Sequence, residues 1–273
     1  MTDGTGREGG AMSAPLAGRV ALVGGGSKGV GFASASALAA AGCDIALWSH
    51  DAGRLRDAAG VLGAIAPVRV ATVAHDASDP ECARAVAASV REQLGDPDIL
   101  VMNGGGPPVS DPTETSPDVW RSSFQSVMLT QVELATAFLP VMRARRWGRI
   151  VALLSTGVRQ PIPDLPYSNS CRAALAAWLK SCAPAVAGHG VTVNGVLTGR
   201  IDTERARDLD DARSRRSGVD VATVRAGRER EVPAGRYGRP EELASLVLYL
   251  CSESAAYLTG AMVPVDGGLV AAL

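Results

Sequence analysis

From Arg19 onward, short aliphatic or β-branched blocks alternate with longer amphipathic stretches. VALVG at 20–24, DIALWS at 44–49 and VRVATV at 68–73 read as strands, and the stretches from Val30 to Ala41 and from Asp51 to Leu62 between them read as helices. Ser78, Asp79 and Pro80 predict the opening of a third helix, a capping side chain preceding a proline in the first turn, and Gly95 its end. DILVM at 98–102 predicts a fourth strand, and one long helix is expected from about Asp118 to Arg145. Strand RIVALL at 149–154, a helix over about 167–187, strand VTVNGVL at 191–197, a helix from Pro240 to Cys251 and a last strand from Met262 to Val265 complete the pattern. Strands and helices in regular alternation predict βαβ units, hence an α/β, doubly wound fold with a parallel sheet flanked by helices.

Length fits one domain. Residues 1–15, rich in Gly and small polar residues, predict a mobile tail, leaving 16–273 as the folded unit. A formal net charge of -1 provides no basic stripe for nucleic acid, and no uninterrupted apolar run is long enough to cross a bilayer. The N-terminus lacks a charged segment followed by an apolar one, so a cytoplasmic protein acting on small molecules is expected. The 5 cysteines and 3 histidines are scattered without ligand spacing, so neither a disulfide framework nor a metal site is expected.

GGGSKGVG follows the first strand directly and opens the first helix, with Gly25, Gly29 and Gly31 spaced GxxxGxG. Glycine serves there because a side chain would keep the backbone from a pyrophosphate held at the helix N-terminus. This spacing, with Asp76 after the third strand, MNGG at 102–105 after the fourth, and the segments VTVNGVLTGRIDT (191–203) and VPAGRYGRPEELASLVLYLCSESAAYLTGAMVPVDGG (232–268), resembles the short-chain dehydrogenase/reductase family over nearly the whole chain. The resemblance implies a single Rossmann-type domain holding a nicotinamide dinucleotide. It assigns the phosphates to the turn of Gly25, Ser27, Lys28, Gly29, Val30 and Gly31, the adenine to Asp76 and Ala77, the adenosine side to Asn103 and Gly104, and the nicotinamide end to Leu197 through Thr203.

Cofactor choice depends on the end of the second strand, where NAD-specific relatives place an acidic residue against the ribose 2′-hydroxyl. Here the strand ends in Trp48, Ser49 and His50, and Lys28 occupies a position where NADP-preferring relatives often carry a base, with Arg54 at hand. NADP(H) is the expected cofactor. Asp51 close by keeps NAD(H) open.

The family's usual catalytic set is Asn, Ser, Tyr and Lys, with the phenol as proton donor and the ammonium lowering its pKa. Ser155 falls at the serine position. The asparagine position falls on Met128, which cannot anchor a relay water. LPYSNSCRAAL at 165–175 admits two alignments: Arg172 at the lysine position with Ser168 at the tyrosine position, or Tyr167 at the tyrosine position with Cys171 at the lysine position. A one-residue shift turns a helical side chain by roughly 100°, so Tyr167 and Ser168 cannot stand in for one another without moving the helix start. Arg172 would hold the cofactor ribose and supply charge but pass on no proton.

Two functions remain open from sequence. One is an NADP(H)-dependent reductase of a carbonyl or activated C=C bond; the other is a homologue that binds dinucleotide and serves a non-redox or regulatory role. Residues from about 204 to 231 sit where the family places its substrate lid, crowded with both charge signs, and read as a solvated helical face in which Arg205 and Arg207 are the nearest anion-binding candidates. The resemblance further implies a homodimer or homotetramer formed through the long helix and the helix after Tyr167.

Overall fold

The structure, a computed structural model, describes residues 15–272. The expected tail lies outside them except for Pro15, and Leu16 is already buried, its amide donating to the Ala41 carbonyl.

Among the described residues seven strands form one sheet: β1 (Val20–Gly24), β2 (Asp44–Ser49), β3 (Val70–Ala74), β4 (Ile99–Met102), β5 (Gly148–Leu153), β6 (Val191–Thr198) and β7 (Met262–Val265). They lie in the order β3-β2-β1-β4-β5-β6-β7, and every neighbouring pair is parallel. Strands β1, β4 and β5 are buried at every position. Helices on both faces require it, which is why these strands read as continuous apolar runs rather than alternating ones. Helices α1 (Gly29–Ala40), α2 (Ala52–Ile65) and α9 (Pro240–Cys251) cover one face through Leu38, Leu55, Leu62, Val247 and Leu250. Helices α3 (Cys82–Gln93), α5 (Thr130–Arg145) and α6 (Pro166–Ala187) cover the other through Val86, Val90, Phe138, Leu175 and Leu179.

Strand order reverses between β1 and β4, whose carboxyl ends splay apart to leave the crevice in which such sheets bind ligands. The crevice is close-built: a methyl group on Gly24 would lie 2.7 Å from the Asn103 carbonyl oxygen, and one on Gly25, at φ 56°, 2.6 Å from the Asn103 side-chain nitrogen.

Three elements depart from the expected pattern. Ser78, Asp79 and Pro80 form a turn before α3 rather than its first turn, because the Asp79 carboxylate accepts from the Glu81 amide and defers the helix to Cys82. The long helix is interrupted: α4 (Pro117–Phe124) passes through one π-turn, Gln125–Leu129, into α5. Polar contacts pin that wider turn, with the Thr130 hydroxyl donating to the Ala77 carbonyl (2.9 Å) and the Gln131 amide to the Ser126 carbonyl (3.3 Å). Residues 204–231 fold as two helices, α7 (Glu204–Ser217) and α8 (Val221–Arg230), and are not simply a solvated face: Asp210 is 2% exposed.

Candidate active site

One cavity of about 720 Å³ runs from the glycine turn, across the carboxyl ends of β1, β4 and β5, to the underside of α7 and α8. At its nucleotide end the turn is held in place by the Ser27 hydroxyl donating to the Ser49 hydroxyl (3.1 Å) and by the Gly26 amide donating to the Trp48 carbonyl (3.2 Å). Gly25, Ser27, Lys28, Gly29 and Val30 face the cavity. Gly31 does not. It sits behind the turn, where a methyl group would come within 2.3 Å of the Gly25 carbonyl oxygen, so its service is to let α1 press against the turn. At the far side of this end, the Asp76 carboxylate accepts from the amide and the hydroxyl of Ser78, both at 2.8 Å. These bonds hold its pKa below the ordinary carboxylate range, leaving an ionised acceptor beside Ala77 on the cavity wall. Asn103 and Gly104 also line the wall, and Gly104 packs so closely on the π-turn that a methyl group there would lie 2.7 Å from the Ser126 carbonyl oxygen.

Around Ser49 and His50 the charges are organised by α7. The Glu204 carboxylate lies between Lys28 Nζ (2.5 Å) and Arg54 Nη1 (3.0 Å), and these two donors, Lys28 first, hold its pKa down. Asp51 is occupied otherwise: it caps α2, accepting from the Arg54 amide at 3.0 Å, with the Arg54 side chain 3.4 Å away.

Farther along the cavity, at the end of β5, stand the candidate catalytic residues. Ser155 caps a short 3₁₀ turn, its hydroxyl oxygen accepting from the Gly157 amide at 3.0 Å, so its proton is free for a partner in the cavity. Asn169 clamps the following loop by bonding both the amide and the carbonyl of Ile162. Because α6 begins at Pro166, Ser168 and Arg172 share one face, four residues apart, and both line the cavity. Arg172 Nε donates to the Ser168 hydroxyl (3.2 Å) and Nη1 to the Leu153 carbonyl (2.7 Å). Burial, with Arg205 as the next cause, pushes the Arg172 pKa down to about 10, which leaves the guanidinium charged at neutral pH.

The neighbouring face of α6 turns into the protein. Tyr167 is 2% exposed, packs edge-on against Trp120 with ring centroids 4.7 Å apart, and accepts the Ser116 amide at 2.7 Å. The expectation that Tyr167 could reach the reacting site is corrected by this placement: its hydroxyl serves the start of α4 and does not border the cavity. Cys171 is buried with it, and desolvation raises its thiol pKa. Met128, in the π-turn, packs against the core, whereas Ser123 and Ser126 of the same region border the cavity.

Several wall residues had no signal in the sequence. Arg213 binds Asp164 through two bonds, 2.7 and 3.1 Å, and Tyr237 donates to the buried Asp210 at 2.9 Å. Arg228 approaches the same carboxylate at 3.3 Å. Thr203 closes the opposite wall and caps α7, accepting from the Ala206 amide at 3.2 Å; its methyl stands 3.4 Å from where a side chain on Gly29 would begin. Among the described residues no group of three or more His, Cys, Asp and Glu stands close enough to hold a metal ion, and no helix is long and apolar enough to cross a membrane.

A family model described as enoyl-(acyl carrier protein) reductase matches residues 25–270. The chain is 32% identical over 253 residues to the 3-oxoacyl-(acyl-carrier-protein) reductase FabG of Salmonella typhimurium, covering 92% of this chain and 97% of that one. L-sorbose reductase from Gluconobacter frateurii, solved in complex with NADPH and L-sorbose, superposes with a TM-score of 0.90 at 34% identity, covering 96% of this chain and 100% of that one. A short chain oxidoreductase from Pseudomonas aeruginosa PAO1, described as containing an atypical catalytic center and solved with NADPH bound, superposes with a TM-score of 0.82 at 34% identity, covering 93% and 98%.

Proposed function

Because the chain belongs to the short-chain dehydrogenase/reductase family, we propose that it is an NADP(H)-dependent oxidoreductase that reduces the carbonyl of a small organic substrate, with Ser155, Ser168 and Arg172 in place of the usual serine, tyrosine and lysine. The observation that carries the reading is that these three side chains border the same cavity as the glycine turn, with Arg172 hydrogen-bonded to Ser168.

The residues present fit a dinucleotide. Side chains on Gly25 or Gly31 would collide with the turn and its supports, so the backbone is bare where phosphates approach the N-terminus of α1. Lys28 and Arg54 would hold the 2′-phosphate of NADP(H) in place of the Glu204 carboxylate they now share, and Asp51, the acid nearest the end of β2, is committed to capping α2. Asp76 would accept from the adenine amino group. Arg172 would donate to the ribose beside the nicotinamide. The nicotinamide, when bound, supplies the hydride.

Ser155 and Ser168 each accept a hydrogen bond from the protein, through the Gly157 amide and Arg172 Nε respectively, and so present their own protons to the substrate oxygen. Negative charge developing on that oxygen would be stabilised by the two hydroxyls and by the Arg172 guanidinium, which its bonds to Ser168 and the Leu153 carbonyl hold in place. An aliphatic hydroxyl with a pKa far above that of a phenol is a weak acid, so the proton comes from water entering the cleft and Ser168 relays it. Arg172 stabilises the negative charge throughout and remains protonated.

The test is steady-state NADPH oxidation against a panel of ketones and enones, with Ser155→Ala and Ser168→Ala alongside. Oxidation with a ketone that Ser155→Ala slows by about 100-fold or more supports the reading. Tight NADPH binding with no oxidation across the panel would refute it in favour of a non-redox dinucleotide-binding protein, and turnover confined to enones would move the reaction to the C=C bond.

A further inference from the structure

Positive charge is distributed unevenly among its partners around the cavity. Towards the lid, Arg213 is paired with Asp164, Arg228 with Asp210, and Arg200 with Glu231; at the nucleotide end, Lys28 and Arg54 share Glu204. Arg172 and Arg205 differ. Among the described residues no carboxylate stands within 4 Å of either guanidinium, although both line the cavity. Arg172 bonds only a hydroxyl and a carbonyl, and Arg205 donates to the Pro107 carbonyl.

Arg205 is also held in place. It projects from the first turn of α7 onto the glycine loop after β4, where a methyl group on Gly106 would lie 2.5 Å from its Nε. Gly106 is thus the floor under the guanidinium. Burial lowers the pKa of Arg205 against an opposing pull from Asp208 one turn along α7, and Arg205 in turn helps lower that of Arg172, as expected of two cations sharing one desolvated region. A desolvated, immobilised pair of cations with no carboxylate in contact with either is costly unless a ligand completes it.

The cofactor does not complete it. In the placement proposed above its phosphates are taken at the start of α1 and by Lys28 and Arg54, and the nicotinamide end brings a neutral ring and ribose hydroxyls. The anion has to arrive with the substrate. Pro107, Ile162, Leu165 and Leu209 supply apolar wall in the same cavity.

Resting on the reductase reading above, we infer that the substrate is an oxo acid, a small carbonyl compound whose carboxylate is held by Arg205 while its carbonyl oxygen meets Ser155, Ser168 and Arg172. The carboxylate and the carbonyl of one molecule are then taken by the two guanidiniums, and a neutral ester of the same skeleton leaves Arg205 without a partner.

The experiment compares pyruvate and acetoacetate with their methyl esters on the NADP-loaded protein, by calorimetric binding and by NADPH oxidation, for the wild type and for Arg205→Gln. The expected result is that at least one free acid binds about tenfold or more tightly than its ester, and that Arg205→Gln abolishes the difference by weakening the acid alone. Gly106→Ala, which displaces the guanidinium without removing its charge, is expected to act in the same direction. Equal affinity for acid and ester in the wild type, or a preference that survives Arg205→Gln, overturns the inference. The two readings fail separately: turnover of esters with no acid preference leaves the reductase and removes the anion site, whereas Arg205-dependent acid binding with no turnover of any carbonyl keeps the anion site and removes the reductase.

Discussion

Tyr167 carries the phenol that one of the two alignments would make the proton donor, and replacing it with Phe separates two accounts of this site. If the phenol is structural, the substitution removes one acceptor, the hydroxyl that takes the Ser116 amide at 2.7 Å, while the ring and its edge contact with Trp120 remain. A net protein hydrogen bond contributes about 0.5–1.5 kcal/mol, and a buried donor left without a partner costs about 1–3 kcal/mol. Ser116 itself is exposed, at the N-cap of α4, so water can take over part of the lost bond. The expected destabilisation is therefore about 1 kcal/mol, a fall of roughly 2–4 °C in Tm for a domain of this size. Activity should change by less than about threefold, since the hydroxyl does not border the cavity. Differential scanning fluorimetry and steady-state NADPH oxidation on the same preparations measure both. A loss of 100-fold or more in kcat at unchanged Tm would identify Tyr167 as the acid and refute the placement of its hydroxyl.

Gly31→Ala should weaken NADPH binding by about tenfold or more and lower Tm, because a methyl group 2.3 Å from the Gly25 carbonyl oxygen forces α1 away from the phosphate turn; fluorescence titration that finds unchanged affinity would contradict this. Glu204→Gln should tighten NADPH binding severalfold and leave NADH binding unchanged, since the carboxylate now lies between the Lys28 and Arg54 cations assigned to the 2′-phosphate, and equal effects on both cofactors would argue against that assignment. Glu242, held by Arg236 and the Arg239 amide, has its pKa lowered from 4.5 to about 2. Its folded pKa is depressed, so its stabilisation is complete above pH 4.5 and disappears as pH falls towards 2. Denaturant melts should show the gap between wild type and Glu242→Gln closing over that window, and a gap independent of pH would show that the carboxylate is not responsible.

The doubly wound sheet was legible because helices on both faces turn strands such as Ile99–Met102 into unbroken apolar runs, and the glycine turn because backbone approach admits no substitute. The π-turn was not legible. Its apolar spacing passes for uninterrupted helix, and the widening comes from Thr130 reaching the Ala77 carbonyl, a residue 53 positions away. Residues 204–231 were illegible for a related reason: their charges look solvated until Tyr237 and Arg228 are brought to Asp210 and Asp164 to Arg213.

At the reacting end the division falls between 167 and 168. Sequence alone determined that LPYSNSCRAAL carries no lysine, and the family resemblance left two pairs for the catalytic positions, a phenol with a thiol or a serine with an arginine. Which pair does so depends on the rotation of α6 about its axis, set by where Pro166 starts the helix and by the packing of Tyr167 on Trp120, an element reached only through the tertiary fold. That no carboxylate among the described residues comes within 4 Å of Arg205 is likewise a property of the assembled cavity, because which carboxylates folding brings within reach of a cation is not specified by the order of residues along the chain.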